Sequence, residues 1–385
     1  MKILSKTIAG LEQILADEIE QLGGKNIRIL KRAVSFEGDL KILYRSNLEL
    51  RTALRILVPI YSFKARNENV YYDKIKQLDW SKYMRVTDTL AINGTTHSQY
   101  FNHSKYVALK AKDAIVDQFR EKEGRRPNVN VHAPTLRLNI HIQDEDVNVS
   151  LDSSGQPLFK RGYRIERMEA PLNEILAAGM ILSSGWKKDC DFVDAMCGSG
   201  TLLIEAGMMA KNIPPLWFRK EGFGFQRWRD YDEKLWQTVL SEAKERITDF
   251  NHKIYGFDRD FKAISTAKIN VLAAELTENI SLRRMAFERL EAPAEKGILI
   301  INPPYDERLH IKNINELYKM MGDQFKQNFK GWEAWIISSN MQALKHIGLR
   351  PSKKIRLMNG ALDCKFLKFE MYEGSRKAKK IGNDV

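Results

Sequence analysis

Apolar residues recur along the first fifty positions at two different periods. Residues 2–8 read as a strand, and Leu11, Ile14, Leu15, Ile19 and Leu22 then fall on one helical face. Gly23-Gly24 ends that helix. Short strands over 27–30 and 33–36 and a helix over 40–55 complete a small α+β unit. A second α+β region is expected over 58–160. Its helix runs through Tyr106, Leu109, Ala114, Ile115 and Phe119, ending in a charged loop at 121–127. Residues 136–142 and 147–152 then alternate apolar with polar, as half-exposed strands do. Arg137 and Asn139 on the polar side are ordinary solvated surface or face a nucleic-acid backbone.

From about residue 170 the pattern changes to strand, loop and helix in repetition, the signature of a doubly wound parallel sheet. Gly297-Ile298-Leu299-Ile300-Ile301 is apolar throughout, as a strand buried on both faces should be. Residues 335–338 make a later buried strand. Residues 354–357 and 365–371 flank the turn dipeptide Asn359-Gly360 and are expected to pair antiparallel at the sheet edge. The basic stretch 375–380 reads as a disordered tail with affinity for phosphate.

Composition narrows the partners. The 385 residues carry a net charge of +13, with ordinary shares of apolar (43%) and charged (29%) side chains. Such an excess favours polyanions, of which nucleic acid is the commonest soluble one. No apolar stretch has membrane-spanning length and the amino terminus lacks the pattern of a signal peptide, so no membrane partner is expected. Three cysteines without metal-site spacing point to reduced thiols in the cytoplasm. Seven scattered histidines give metal catalysis no support. The oligomeric state is not readable.

Three short stretches carry chemistry. Phe192-Val193-Asp194 ends a strand, and Cys197-Gly198-Ser199-Gly200-Thr201 turns into an apolar helix. Such a turn lets backbone approach a ligand closely and aims helix N–H groups at it. No Lys follows Gly200, so this is not a Walker loop. Asp194 would repel a pyrophosphate but suits an α-amino group or a sulfonium, which S-adenosylmethionine carries. The next strand, Ile254-Tyr255-Gly256-Phe257-Asp258, ends in an acid fit to accept ribose hydroxyls. Asp260 is the better helix cap, which leaves Asp258 free for that role. Asn302-Pro303-Pro304-Tyr305 follows the buried run 297–301 as a stiff loop that cannot extend the sheet. Its amide, its proline-fixed carbonyl and its ring suit a planar base bearing an exocyclic amine.

In this order the motifs resemble class I S-adenosylmethionine-dependent methyltransferases. Residues 158–164 (Leu-Phe-Lys-Arg-Gly-Tyr-Arg), 170–174 (Ala-Pro-Leu-Asn-Glu) and 302–309 (Asn-Pro-Pro-Tyr-Asp-Glu-Arg-Leu) narrow the likeness. They are similar to THUMP-domain RNA methyltransferases, and closest to bacterial enzymes that methylate guanine N2 in 23S ribosomal RNA. The resemblance implies an α/β fold with a Rossmann-like catalytic domain over 161–385. A ferredoxin-like domain over 1–57 and a THUMP RNA-binding domain over 58–160 would precede it.

It also implies roles. S-adenosylmethionine would be held by Asp194, Cys197, Gly198, Ser199, Gly200, Thr201 and Asp258. Asn302, Pro303 and Tyr305 would hold the base. The third cofactor strand of such enzymes usually ends in an acid near adenine, whereas here Ala286 stands, so backbone groups or the Phe287 ring are expected to hold the adenine. Arg161 and Arg164 are read as RNA contacts, with a structural linker as the alternative. The expected partner is RNA, either 23S rRNA or a ribosomal assembly intermediate. Two other readings stay open: adenine-N6 methylation of DNA or RNA, and a non-catalytic RNA-binding assembly factor.

Overall fold

A computed structural model of the protein describes residues 1–169, 171–304 and 314–371. Tyr305, the stretch 306–309, Ala170 and the basic tail therefore lie outside the described residues. Two compact units divide the chain. The first gathers Met1–Thr7, Leu15–Leu158 and Lys220–Glu242; the second gathers Ile8–Ile14, Phe159–Arg219 and the chain from Ala243 onward.

The first unit opens with β1 (Lys2–Lys6), α1 (Glu12–Leu22) from Leu15 onward, β2 (Lys25–Leu30), β3 (Ala33–Glu37), α2 (Leu40–Glu49) and β4 (Arg55–Lys64). It continues through α3 (Glu68–Gln77), β5 (Thr89–His97), α4 (Ser104–Glu123), β6 (Asn128–Val129), β7 (Leu136–Gln143) and β8 (Asp146–Asp152). All eight strands form one sheet in the order β2-β3-β1-β4-β8-β7-β5-β6. The position expected to separate two domains, 57/58, falls inside β4. Leu57 is opposite Leu4 of β1 on one side and Asp152 of β8 on the other. The register slips between Pro59 and Tyr61, a bulge that accommodates a residue with no N–H to donate.

The helix expected over 40–55 stops at Glu49, because Leu50 turns extended. Glu18 then takes the amides of Arg51 and Thr52 at 2.7 and 3.0 Å, and β4 begins at Arg55. In α4 the buried face is Val107, Ala111, Ala114, Ile115 and Phe119, facing a core with Trp80, Leu138, Ile140 and Val149. Tyr106 and Leu109 stand 41% and 48% exposed instead. Tyr106 is turned outward by its hydroxyl, which donates to Glu68 at 2.6 Å. The aromatic run after Lys220 packs into a core of its own: Phe225 stacks on Tyr44 at 4.3 Å, with Phe223 and Trp236 around it.

The second unit contains α5 (Glu174–Ser184), β9 (Asp191–Asp194), α6 (Thr201–Ala210), the end of α7 (Glu233–Glu245), β10 (Ile254–Asp258), α8 (Phe261–Ala273) and β11 (Ile280–Arg284). After these come β12 (Gly297–Ile301), α9 (Ile314–Asn328), β13 (Glu333–Ser338), β14 (Lys353–Asn359) and β15 (Leu362–Glu370). The sheet order is β11-β10-β9-β12-β13-β15-β14. The first five strands of that order run parallel, and β15 pairs antiparallel with both β13 and β14. Gly360, at φ +62°, closes the β14–β15 hairpin. All five residues of β12 are buried, as an apolar strand covered on both faces requires. Strand order reverses between β9 and β12, which is where an open α/β sheet parts its loops and receives ligands.

Candidate active site

Asp194 ends β9 with 2% of its surface exposed, and its Oδ1 accepts the Met196 amide at 3.1 Å. Burial pushes this carboxyl up to about 8, against the pull of the Met196 bond, and the charge of Asp258 adds to the rise. The following turn needs glycine where the backbone goes left-handed, at Gly198 (φ +50°) and Gly200 (φ +83°). A Cβ placed on Gly198 would meet nothing within 4 Å, so open space lies beside this backbone. The Gly198 amide donates to Asp258 Oδ2 at 3.0 Å, and the Asp260 amide donates to Oδ1 at 2.9 Å. One bond per oxygen leaves the Asp258 carboxylate with acceptor capacity for a pair of hydroxyls. Asp260 caps α8 by accepting the Lys262 amide at 2.9 Å. Cys197 is buried, and burial together with Asp194 and Asp258 pushes its thiol well above the usual range, so it is no nucleophile.

Two side chains hold this turn from behind. Arg164 donates to Ser199 Oγ and Thr201 Oγ1, each at 2.9 Å, while its Nε meets Glu174 at 2.7 Å and Nη2 reaches the Leu172 carbonyl at 3.2 Å. Asn270 is fully buried on α8. Its Nδ2 donates to the carbonyls of Ser199 and Glu166 at 3.1 Å, and its Oδ1 accepts the amides of Ile165 and Glu166 at 3.0 Å. Sequence reading missed Asn270. The signal was there, as an amide on a helical face otherwise made of Ala263, Ile264, Thr266, Ala267 and Val271.

The loop after β12 has the opposite character. Pro303 and Pro304 supply no amide donors. Asn302 Oδ1 is buried and has no hydrogen-bond partner among the described residues. An acceptor so placed costs about 1–3 kcal/mol until something donates to it. Among the described residues, no group of three or more His, Cys, Asp or Glu could hold a metal, and no helix is long and apolar enough to cross a membrane.

Residues 161–368 match the family model described as "RMKL-like, methyltransferase domain", which is more than half of the chain. The chain belongs to the RMKL-like methyltransferase family. Residues 2–57 further match the RlmL ferredoxin-like domain, and residues 65–152 match the THUMP domain. A Synechocystis sp. protein named "Putative RNA methyltransferase slr0064" is 40% identical over 366 residues, covering 94% of this chain and 95% of its own. The ribosomal RNA large subunit methyltransferase K/L of Syntrophotalea carbinolica is 37% identical across 97% of this chain. The match spans about half of that longer relative (54%). The crystal structure of SMU.472 complexed with SAH superposes with a TM-score of 0.87 at 30% identity, over 97% of this chain and 99% of the other.

Within this RMKL-like domain, two expectations need correction. Arg161 has 1% of its surface exposed, and its guanidinium pairs with the fully buried Glu205 of α6, Nε to Oε1 at 3.2 Å. The Tyr163 hydroxyl donates to the same carboxylate at 2.9 Å. A guanidinium enclosed in this way offers nothing to an RNA phosphate. Arg164, 10% exposed at its side chain, is likewise spent on Glu174 and the Gly-rich turn rather than on RNA. The Phe287 ring is the second case. It is 3% exposed and packs against Phe325 and Phe329 at 6.0 Å, so no face is left for adenine to stack on.

Proposed function

We propose that this protein is an S-adenosylmethionine-dependent RNA methyltransferase that methylates the exocyclic N2 of a guanine in 23S ribosomal RNA. The observation that carries the reading is the unpartnered, buried Asn302 Oδ1 in the loop after β12, the strand beside the one that leads into the Gly-rich turn. The residues fit the cofactor: Asp194 offers a carboxylate for an ammonium or sulfonium, Asp258 keeps acceptor capacity for ribose, and the backbone at Gly198 borders open space. With Phe287 turned inward, backbone near Ala286 is the group left for adenine. When bound, the cofactor supplies a methyl group on a positively charged sulfur.

This chain's own residues then act on the base. The lone pair of an exocyclic amine is delocalised into the ring, which makes it a poor nucleophile. Asn302 Oδ1 and the Pro303 carbonyl accept from the amine hydrogens, drawing charge onto nitrogen, and Tyr305 stacks on a base that has left the RNA helix. Positioning supplies much of the acceleration. No separate base is required, because the amine proton turns acidic only as the methyl arrives. The domain matches over 2–57 and 65–152 and the +13 charge support RNA as the substrate.

Nucleoside mass spectrometry of ribosomal RNA from cells with and without the protein tests this. One N2-methylguanosine should disappear. Loss of an N6-methyladenosine instead would transfer the same site to adenine, and no change in either would defeat the reading.

A further inference from the structure

One cavity of the first unit, of about 240 Å³, takes no part in the chemistry above. His132, Pro134 and Arg137 line it before and at the start of β7, Gly155 lines it after β8, and Glu221 and Arg227 come from the segment after Lys220. The wall between those stretches is close-packed. A Cβ on Gly224 would lie 2.5 Å from the Asp152 carbonyl, and the Phe225 amide donates to Ser153 at 3.0 Å.

Arg137 is 8% exposed. Its Nη2 donates to the carbonyls of Val131 and His132 at 2.8 and 3.3 Å, but its Nε has no acceptor among the described residues. The buried Asp152 carboxylate is already engaged, by Arg55 and by the Ser154 and Gly155 amides at 3.0 and 3.2 Å. Arg227 is exposed and reaches the Pro134 carbonyl at 3.4 Å. The cavity thus presents two guanidinium groups against the single carboxylate of Glu221, with a buried donor left unanswered. That combination selects an anion with several acceptor oxygens, and arginine forks suit phosphate geometry.

We propose that this cavity holds a phosphate group of the RNA substrate, with Arg137 and Arg227 as its donors. The proposal rests on the RNA-methyltransferase reading above. A phosphodiester of RNA and free inorganic phosphate share this chemistry, so both are used as probes on the intact protein. Arg227→Gln, Arg137→Gln and Glu221→Gln are titrated with a labelled single-stranded RNA at several salt concentrations, with inorganic phosphate by calorimetry, and with S-adenosylhomocysteine as a control.

The arginine variants should bind RNA several-fold more weakly and flatten the slope of log affinity against log salt by about 0.7. Glu221→Gln should bind RNA more tightly, which a purely structural residue would not do. Affinity for S-adenosylhomocysteine should stay unchanged. If Arg137→Gln fails to fold, the two exposed positions carry the test. An unaltered slope in Arg227→Gln, with Glu221→Gln neutral and no saturable phosphate binding, overturns the proposal. Wild-type protein that binds S-adenosylhomocysteine but no RNA would defeat the RNA reading instead. Saturable phosphate binding lost in Arg227→Gln would then leave the pocket standing with a free anion as its occupant.

Discussion

The loops that leave β9 and β12, neighbouring strands of one sheet, are held in opposite ways. The first is tied down on every side: Asp258 takes the Gly198 amide, Arg164 takes two hydroxyls, and Asn270 takes the Ser199 carbonyl. The second is stiffened by two prolines and leaves the Asn302 acceptor buried and unanswered. A loop whose own polar groups are satisfied is a rigid receptor, formed before its ligand arrives. A loop with an open buried acceptor draws its missing donor from the substrate. Preorganisation is common to both, but the bonding capacity left over differs, and in the proposed reaction that separates binding from chemistry.

The contrast can be broken at four points, the largest first. Arg164→Gln leaves the buried Glu174 without its cation and frees the turn, so stability should drop by about 3–5 kcal/mol. Thermal melts would register that loss, and affinity for S-adenosylhomocysteine should fall with it. Asn302→Ala should reduce single-turnover methyl transfer by about 10²–10³-fold, the scale of losing one aligned transition-state hydrogen bond. Calorimetry should find cofactor affinity unchanged in that variant; equal losses in both would erase the distinction between the loops.

Asp194→Asn should weaken cofactor binding by about 1.5–3 kcal/mol, the range for a charge-assisted bond, and turnover at saturating cofactor should move much less. The fourth test is in pH. The Asp194 carboxyl, raised to about 8 by burial, is protonated in the free protein below that value. Its contribution to folding is therefore full below about 4 and is lost as pH rises through 8, at up to about 1.4 kcal/mol per pH unit. A cationic ligand favours the carboxylate, so affinity should climb from pH 5 toward 8 with release of one proton. Calorimetry in buffers of different ionisation enthalpy measures that proton, and Asp194→Asn should abolish it.

What was legible in the sequence was local. Asp194, Asp258 and Asn302 each stand at the end of a strand whose apolar run announces itself, and the parallel sheet follows from the alternation of strands with helices. What stayed hidden depends on partners far along the chain. Arg161 and Arg164 look like free cations beside a Gly-Tyr until Glu205 and Glu174 are brought to them, and nothing in their spacing says so. Phe287 sits where a base-stacking ring was wanted, but tertiary packing against Phe325 and Phe329 buries it. The strand at 55–64 was lost because Pro59 and an adjoining helical pattern hid it, and only its pairing on both sides discloses it.

That strand also governs how the amino-terminal half can be taken apart. A cut at 57/58 would divide the ten-residue β4 after its third residue, leaving Arg55–Leu57 on β1 in one fragment and Val58–Lys64 on β8 in the other, with a raw edge on each. Residues 1–57 and 58–160 are therefore poor candidates for separate expression. In hydrogen exchange, amides at the centre of β1, β4 and β8 should open together, as one cooperative unit rather than two modules on a string.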